Sequence, residues 1–413
     1  MRFTRNRLWI GAIVSLVVAT ACDRGGEQLT APGESSAPEF PRKLDMSAAS
    51  LNVTSVEQLY AAVNDPANAG AAILLSPGNY VLSATNGAGA ARPNSGRLEL
   101  QRDMSLYGTA GDRAAVVIDA SALPGSAFNV PFGRTAPIRI GRGSNTVEWL
   151  TIVGNPAAAA GIATELTGTP ATKIRVAHVL AGESSRGIDV RNVGATMIGR
   201  RIDAEIIDNE LVGPSEVVGM SEGVRLANFV GADNGVIVAT LAGNRVYNFQ
   251  LGCIVTSNRS SNATVDVRSS GDRFFGNALG CLIAGGLSQA TTGFANSNVT
   301  TFEAHGTQFV DNTAQIPGIE PGGVRVVGGL STIKANGTSD NRVSVDLWGS
   351  KVSGNQVVDF EAFGAWKASA PGIAGTNNHA TITLHGVSRQ IDVAATPSFP
   401  AEPAGTNTVT VIR

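Results

Sequence analysis

The sequence predicts an all-β chain, a solenoid of short-stranded coils closed at its N-terminal end by one short helix. Three observations predict it. Short apolar or alternating runs separated by Gly, Pro and Asn fill most of the chain, a seven-residue unit recurs, and a Gly-initiated strand follows that unit in most repeats. The 49 Gly and 18 Pro, with only 15% charged residues, suit a turn-dense fold. Thirty-one Lys plus Arg against 33 Asp plus Glu leave a formal charge of −2, which removes the electrostatic case for a nucleic-acid partner. Apolar residues at 43% with so low a net charge argue against wholesale disorder.

The N-terminus reads as an address. Arg2, Arg5 and Arg7 precede the apolar run from Leu8 to Ala21, so residues 1–21 form a signal peptide by shape, too short to span a bilayer. Ala19, Thr20 and Ala21 before Cys22 resemble a bacterial lipobox, which implies a lipidated Cys22 and a membrane partner through the anchor. An ordinary cleaved secretory signal is the other reading. Residues 22–52, rich in Gly, Pro, Ser and Glu, follow as a flexible spacer. Residues 53–413 are expected to be one domain.

That domain opens with Thr54 three residues before Glu57, a capping box. Val56, Leu59, Tyr60 and Val63 then share one helical face. The segments AAILL, SPGN, YVL, LEL, MSLYG and AVVID follow as short strands and turns, and no later helix is expected. The seven-residue unit then starts at Trp149, Ala177, Asp203, Gly243, Gly271, Gly306 and Gly349, at intervals of 28, 26, 40, 28, 35 and 43 residues. Its fourth position, Ile152, Leu180, Ile206, Val246, Phe274, Phe309 and Val352, is expected to stack as one apolar column. Its sixth, Gly154, Gly182, Asp208, Asn248, Gly276, Asp311 and Gly354, calls for a left-handed turn. At the seventh, Asn155, Asn209, Asn277, Asn312 and Asn355 can align as an amide ladder.

The Gly-initiated strands alternate. Ile188, Val190, Val224, Leu226, Cys253, Val255, Cys281, Ile283, Val324 and Val326 are expected inward. Cys253 and Cys281 should then lie on adjacent coils, as stacked thiols or, if the geometry yields, a disulfide. No such coil buries its inner face without neighbours.

From about Val53 onward these features resemble the right-handed parallel β-helix proteins of the pectate-lyase-like superfamily. The points of likeness are the N-terminal helix, the strand with its PGNY turn, coils near 26 residues and the Asn-rich turn. The resemblance implies a right-handed parallel β-helix and leaves the chemistry open, since that superfamily holds lyases, hydrolases, epimerases and adhesins. A polysaccharide is the partner it implies.

Neither a lyase nor a hydrolase site is spelled out. The outward positions on the Gly-initiated strands read Ala163, Asp189, Arg225, Ile254, Leu282 and Arg325. Arg225 and Arg325 are the candidate ligands for substrate carboxylates, Ile254 and Leu282 an apolar floor between them, and Asp189 a further contact. Long segments at 210–222 and 313–322 would wall this groove. The bland alternative makes the arginines solvated and the segments tolerated insertions. A second outward column holds Arg268, Glu303 and Asp346 near His305 and Trp348, which a charge ladder between coils explains without function. Trp348 and Trp366 could stack on sugar rings or fill turns. Among five lysines, Lys351 is the one in an outward repeat position. No metal-ligand spacing involves the four His, no cofactor is evident, and a Ca²⁺ requirement stays open. The expected function is a lipid-anchored, extracytoplasmic β-helix that binds polysaccharide, with a lyase or glycoside hydrolase and an adhesin or envelope scaffold as the rivals.

Overall fold

The computed structural model describes residues 49–130, 133–164, 171–194, 198–215, 220–288, 295–314, 321–331, 338–367, 375–387, 393–399 and 406–413. The signal segment, Cys22 and nearly all of the spacer lie outside the described residues, as do the central parts of both expected groove walls.

Three parallel sheets of twelve, nine and ten strands run along the domain. Each typical coil gives one strand to each sheet. Arg201–Ile207, Glu210–Val212 and Glu222–Phe229 form one coil, and Val236–Ala242, Arg245–Tyr247 and Leu251–Asn258 form the next. Register is kept from coil to coil, as in the first-sheet row Asp203, Val238, Asp266, Thr301. This is a parallel β-helix.

Its interior is the alternation seen in the sequence. Ile188, Val224, Cys253, Cys281 and Val324 pair in one third-sheet column, and Val190, Leu226, Val255, Ile283 and Val326 form the other. All ten are buried, at burial worth about 1.5–3 kcal/mol for each large apolar side chain. Cys253 and Cys281 face each other in register as free, buried thiols, and burial pushes the Cys281 thiol well up from its ordinary pKa.

The helix spans Val56–Asn64 and buries Leu59, Tyr60 and Val63. Its cap differs from the expected one. Ser55 is the N-cap, accepting from the Gln58 backbone N–H at 3.3 Å, and the Gln58 side chain accepts from Thr54 N at 2.8 Å. Glu57 pairs with Arg92 instead.

Register also corrects the repeat alignment. Ile152 pairs with Ala181, not Leu180, and the column continues through Leu211, Val246, Phe274, Phe309 and Val352. Ile206 belongs to the first sheet, between Val176 and Leu241. The cause is that similar strings of an apolar residue, a turn former and Asn border two different corners of the coil. Asn209 therefore joins a first-corner ladder through Asn244 to Asp272, whereas Asn277, Asn312 and Asn355 form the second-corner ladder. A third ladder, Asn298, Asn341, Asn378 and Asn407, closes the remaining corner. Positive φ recurs at Glu183, Asn248, Gly276, Asp311 and Gly354, but not at Gly154 or Gly182. Gly154 is needed for close approach, since a Cβ there would lie 2.1 Å from Ser184 Oγ.

Candidate functional site

The outer face of the first sheet carries a cavity of about 1000 Å³. Period-two alternation builds it. On Ala171–Ala177, Ile174 and Val176 point inward, so Lys173 and Arg175 point out. On Arg201–Ile207, Ile202, Ala204 and Ile206 are buried, so Asp203 and Glu205 face the cavity. Parallel register aligns Ser144, Lys173, Asp203 and Val238 in one row and Ser105, Thr146, Arg175, Glu205 and Thr240 in the next, with Tyr107 and Glu148 at the side.

Arg175 is shared by two carboxylates. It hydrogen-bonds Glu148 and, at 2.7 Å, Glu205. Burial pulls its pKa down, but the bonds to Glu148 and Glu205 outweigh burial and hold it above the ordinary value. Asp203 is taken by Arg201 at 2.6 Å. Lys173, in the same row as Asp203, is exposed and makes no ion pair among the described residues. The cleft therefore offers one uncommitted cation beside two carboxylates positioned by a common guanidinium. Among the described residues no group of three His, Cys, Asp or Glu could hold a metal ion.

Beyond the cleft, the same face continues as Arg268, Glu303, Asp346 in register, the expected second column. Glu303 is 2.8 Å from His305, and Arg268 lies 3.7 Å from it. His305, Trp348 and His385 form a ring stack, with Trp348 and His385 centroids 3.5 Å apart.

The third-sheet candidates do form the expected column, Ala163, Asp189, Arg225, Ile254, Leu282 and Arg325 in register. Its surroundings differ from an open groove. Asp189 is fully buried, 2.9 Å from Arg191 Nε, and Arg225 grips Glu222 through two bonds of 2.6 Å. Arg186 holds the same Glu222 at 2.5 Å. Burial raises the Glu222 carboxyl, but Arg186 and Arg225 outweigh burial and bring its pKa down to about 2. Arg325 pairs with Glu361 at 2.7 Å and lies over Trp366. Ile254 and Leu282 are buried in a second apolar cluster with Leu251, Leu279 and Leu287. Of the walls, Glu210–Val212 is second-sheet strand, not loop.

No family model matches the chain, and no curated protein matches it. Solved structures do. The A-module of the mannuronan C-5 epimerase AlgE6 from Azotobacter vinelandii is 16% identical over 86% of this chain and 94% of its own, at a TM-score of 0.36. A pectate lyase, Pel9A, is 13% identical over 84% and 76%, at 0.33. The catalytic domain of a GH87 alpha-1,3-glucanase with nigerose is 12% identical over 92% and 70%, at 0.36. At such values the activities in those names remain those proteins' own, and the fold of this chain rests on its three sheets.

Sequence reasoning singled out Lys351 and passed over Lys173. The signal was present in KIRV, where period-two alternation sets Lys173 and Arg175 on one face. Only the register that puts Glu148 and Glu205 beside them shows a cluster.

Proposed function

We propose that this protein binds a polysaccharide lengthwise along the outer face of the first sheet. The observation that carries the reading is the polar cleft itself, about 1000 Å³ and open across five consecutive coils, from Tyr107 to Thr240. At about 4.8 Å per coil that is roughly 19 Å, room for several sugar rings in line. Sugars suit it because its walls are hydroxyls, carboxylates and cations on rigid strands, while an enclosed apolar pocket for a small molecule is not what it offers. Lys173 pairs with an acidic group of the polymer, and Glu148, Glu205 and Thr146 accept or donate to hydroxyls.

The third-sheet set, Arg225, Arg325, Ile254, Leu282 and Asp189, is proposed as a second contact region. There an incoming carboxylate must compete with Glu222 for Arg225 and with Glu361 for Arg325. We also propose that Cys22 is lipidated and holds the protein in the cell envelope, facing the periplasm or exterior. The sequence around Cys22 supports this, and replacing Cys22 by Ser should move the protein from the detergent to the aqueous phase on phase partition.

A lyase or hydrolase reading shares the same cleft. Incubating the protein with pectate, alginate and glycosaminoglycans, while following binding, the ultraviolet absorbance of unsaturated products and the release of reducing ends, separates the readings. Binding without any product supports the proposal, an unsaturated product makes the protein a lyase, saturated reducing ends make it a hydrolase, and neither binding nor product on any polymer leaves the scaffold reading.

A further inference from the structure

The second sheet carries an outer face that the cleft reading does not use. Glu210, Arg245, Arg273, Gln308 and Lys351 occupy one column on five successive strands. Beside it run Tyr247 and Phe275, stacked with centroids 4.9 Å apart. The only carboxylate in the column is already engaged, since Glu210 pairs with Arg113 and accepts from Tyr247 Oη at 2.8 Å. Arg245, Arg273 and Lys351 make no ion pair among the described residues, and Arg245 and Lys351 are exposed.

Like charges in directly opposed positions cost the sheet free energy. Arg245 and Arg273 are such a pair, with no acidic residue between them. The ring of Phe275 fixes both guanidiniums, with Arg273 Cζ 4.4 Å and Arg245 Cζ 6.0 Å from its centroid. Arg273 Nε is buried without an acceptor. The face thus presents cations with hydrogen-bonding capacity to spare, beside aromatic surface, over roughly 14 Å from Arg245 to Lys351.

We infer that this ladder is a binding surface for a linear acidic polysaccharide, distinct from the first-sheet cleft. Cations repeating at the coil spacing match carboxylates repeating along a chain of sugar rings, and Arg fixed on an aromatic ring is suited to bidentate contact with a carboxylate. A nucleic acid fits less well. Three cations are fewer than the roughly 6–10 phosphate contacts that a nucleic-acid site makes.

The inference does not depend on the cleft, and the test keeps them apart. Affinity for polygalacturonate, for its carboxyl-reduced neutral form and for oligo(dT) is measured at several salt concentrations. The proteins are the wild type, an exposed-site variant R245Q/K351Q, the triple variant that adds R273Q, and the cleft variant K173Q. Circular dichroism controls folding. The triple variant should lose about tenfold in affinity for polygalacturonate, as expected from two exposed charge contacts and one half-buried one, with a shallower salt dependence. The double variant should lose part of it; K173Q removes a cleft contact and should weaken binding by its own share, and adding R245Q/K351Q to it should weaken binding further. Equal affinity and equal salt slope in wild type and triple variant would overturn the inference while leaving the cleft intact. Tighter binding of oligo(dT) than of polygalacturonate, equal binding of the neutral polymer, or no binding by the wild type would overturn it as well.

Discussion

Phe274 and Phe309 sit at the same position on adjacent second-sheet strands and stack with ring centroids 5.3 Å apart and planes 7° from parallel. Both rings are fully buried. Because the coils repeat, each ring is the floor for the next, and the column tolerates no gap. Replacing either by Ala should cost about 3–5 kcal/mol in a denaturant titration. A loss below about 1 kcal/mol for both would mean that this column is not packed as described.

Glu222 should be worth more as a charge than as a shape. It lies fully buried between Arg186 and Arg225, so Glu222→Gln keeps the volume and leaves two guanidiniums facing each other. Breaking a buried pair in this way costs about 3–5 kcal/mol. Its pKa is depressed to about 2, so the stability it contributes is complete above the ordinary carboxyl value and is lost as pH falls from about 4.5 toward 2. A variant as stable as the wild type at pH 7 would contradict the assigned pairing.

Asp272 should act in the opposite sense. It takes an Asn place in the first-corner ladder, accepting from Asn244 N at 2.8 Å, Asn244 Nδ2 at 2.7 Å and Ser269 Oγ at 2.6 Å. Burial outweighs these bonds and pushes its carboxyl up to about 6. A raised acid favours the folded state fully below its unfolded pKa of about 3.8, and that contribution is lost as pH rises through about 6. Asp272→Asn should therefore stabilise the protein at pH 7 to 8 and flatten its stability between pH 4 and 6. Equal melting temperatures for the two proteins across that range would contradict it.

The amide ladders should be cooperative supports. Asn312 accepts from Asn277 and donates to Asn355 and to the Phe274 carbonyl, so Asn312→Ala strands buried groups on both neighbouring coils. The expected cost is about 1–3 kcal/mol by chemical denaturation, with β-rich circular dichroism retained. A neutral substitution would show that the ladder is incidental.

Much of this fold is legible in the sequence. The Gly-initiated strands announced both inward columns because the period of two survives in every coil from Ile188 to Val326. The corners were less legible. Ile206 and Val246 hold the same apolar place ahead of a turn former, yet one lies before the first corner and the other before the second, and only pairing tells them apart. Asn298, Asn341 and Asn378 were invisible as a ladder because segments of unequal length separate them. The site residues were the hardest, since outward charges obey no repeat. The alternation that set Arg225 and Arg325 outward was right in direction but silent about Glu222 and Glu361, which hold them. Arg175, Glu148 and Glu205 come from three coils, and alternation within each segment sets its charge outward without showing that the three meet.

Calorimetric titration of polygalacturonate and of a neutral glucan into wild-type protein and into the double variant Lys173→Gln, Arg175→Gln tests polymer binding in the cleft most directly. The prediction is that the wild type binds at least one of these polymers. The variant, with β-rich circular dichroism unchanged, should then bind that polymer about tenfold or more weakly, because it lacks both the uncommitted cation and the guanidinium that positions Glu148 and Glu205. Wild-type and variant affinities that coincide would contradict it.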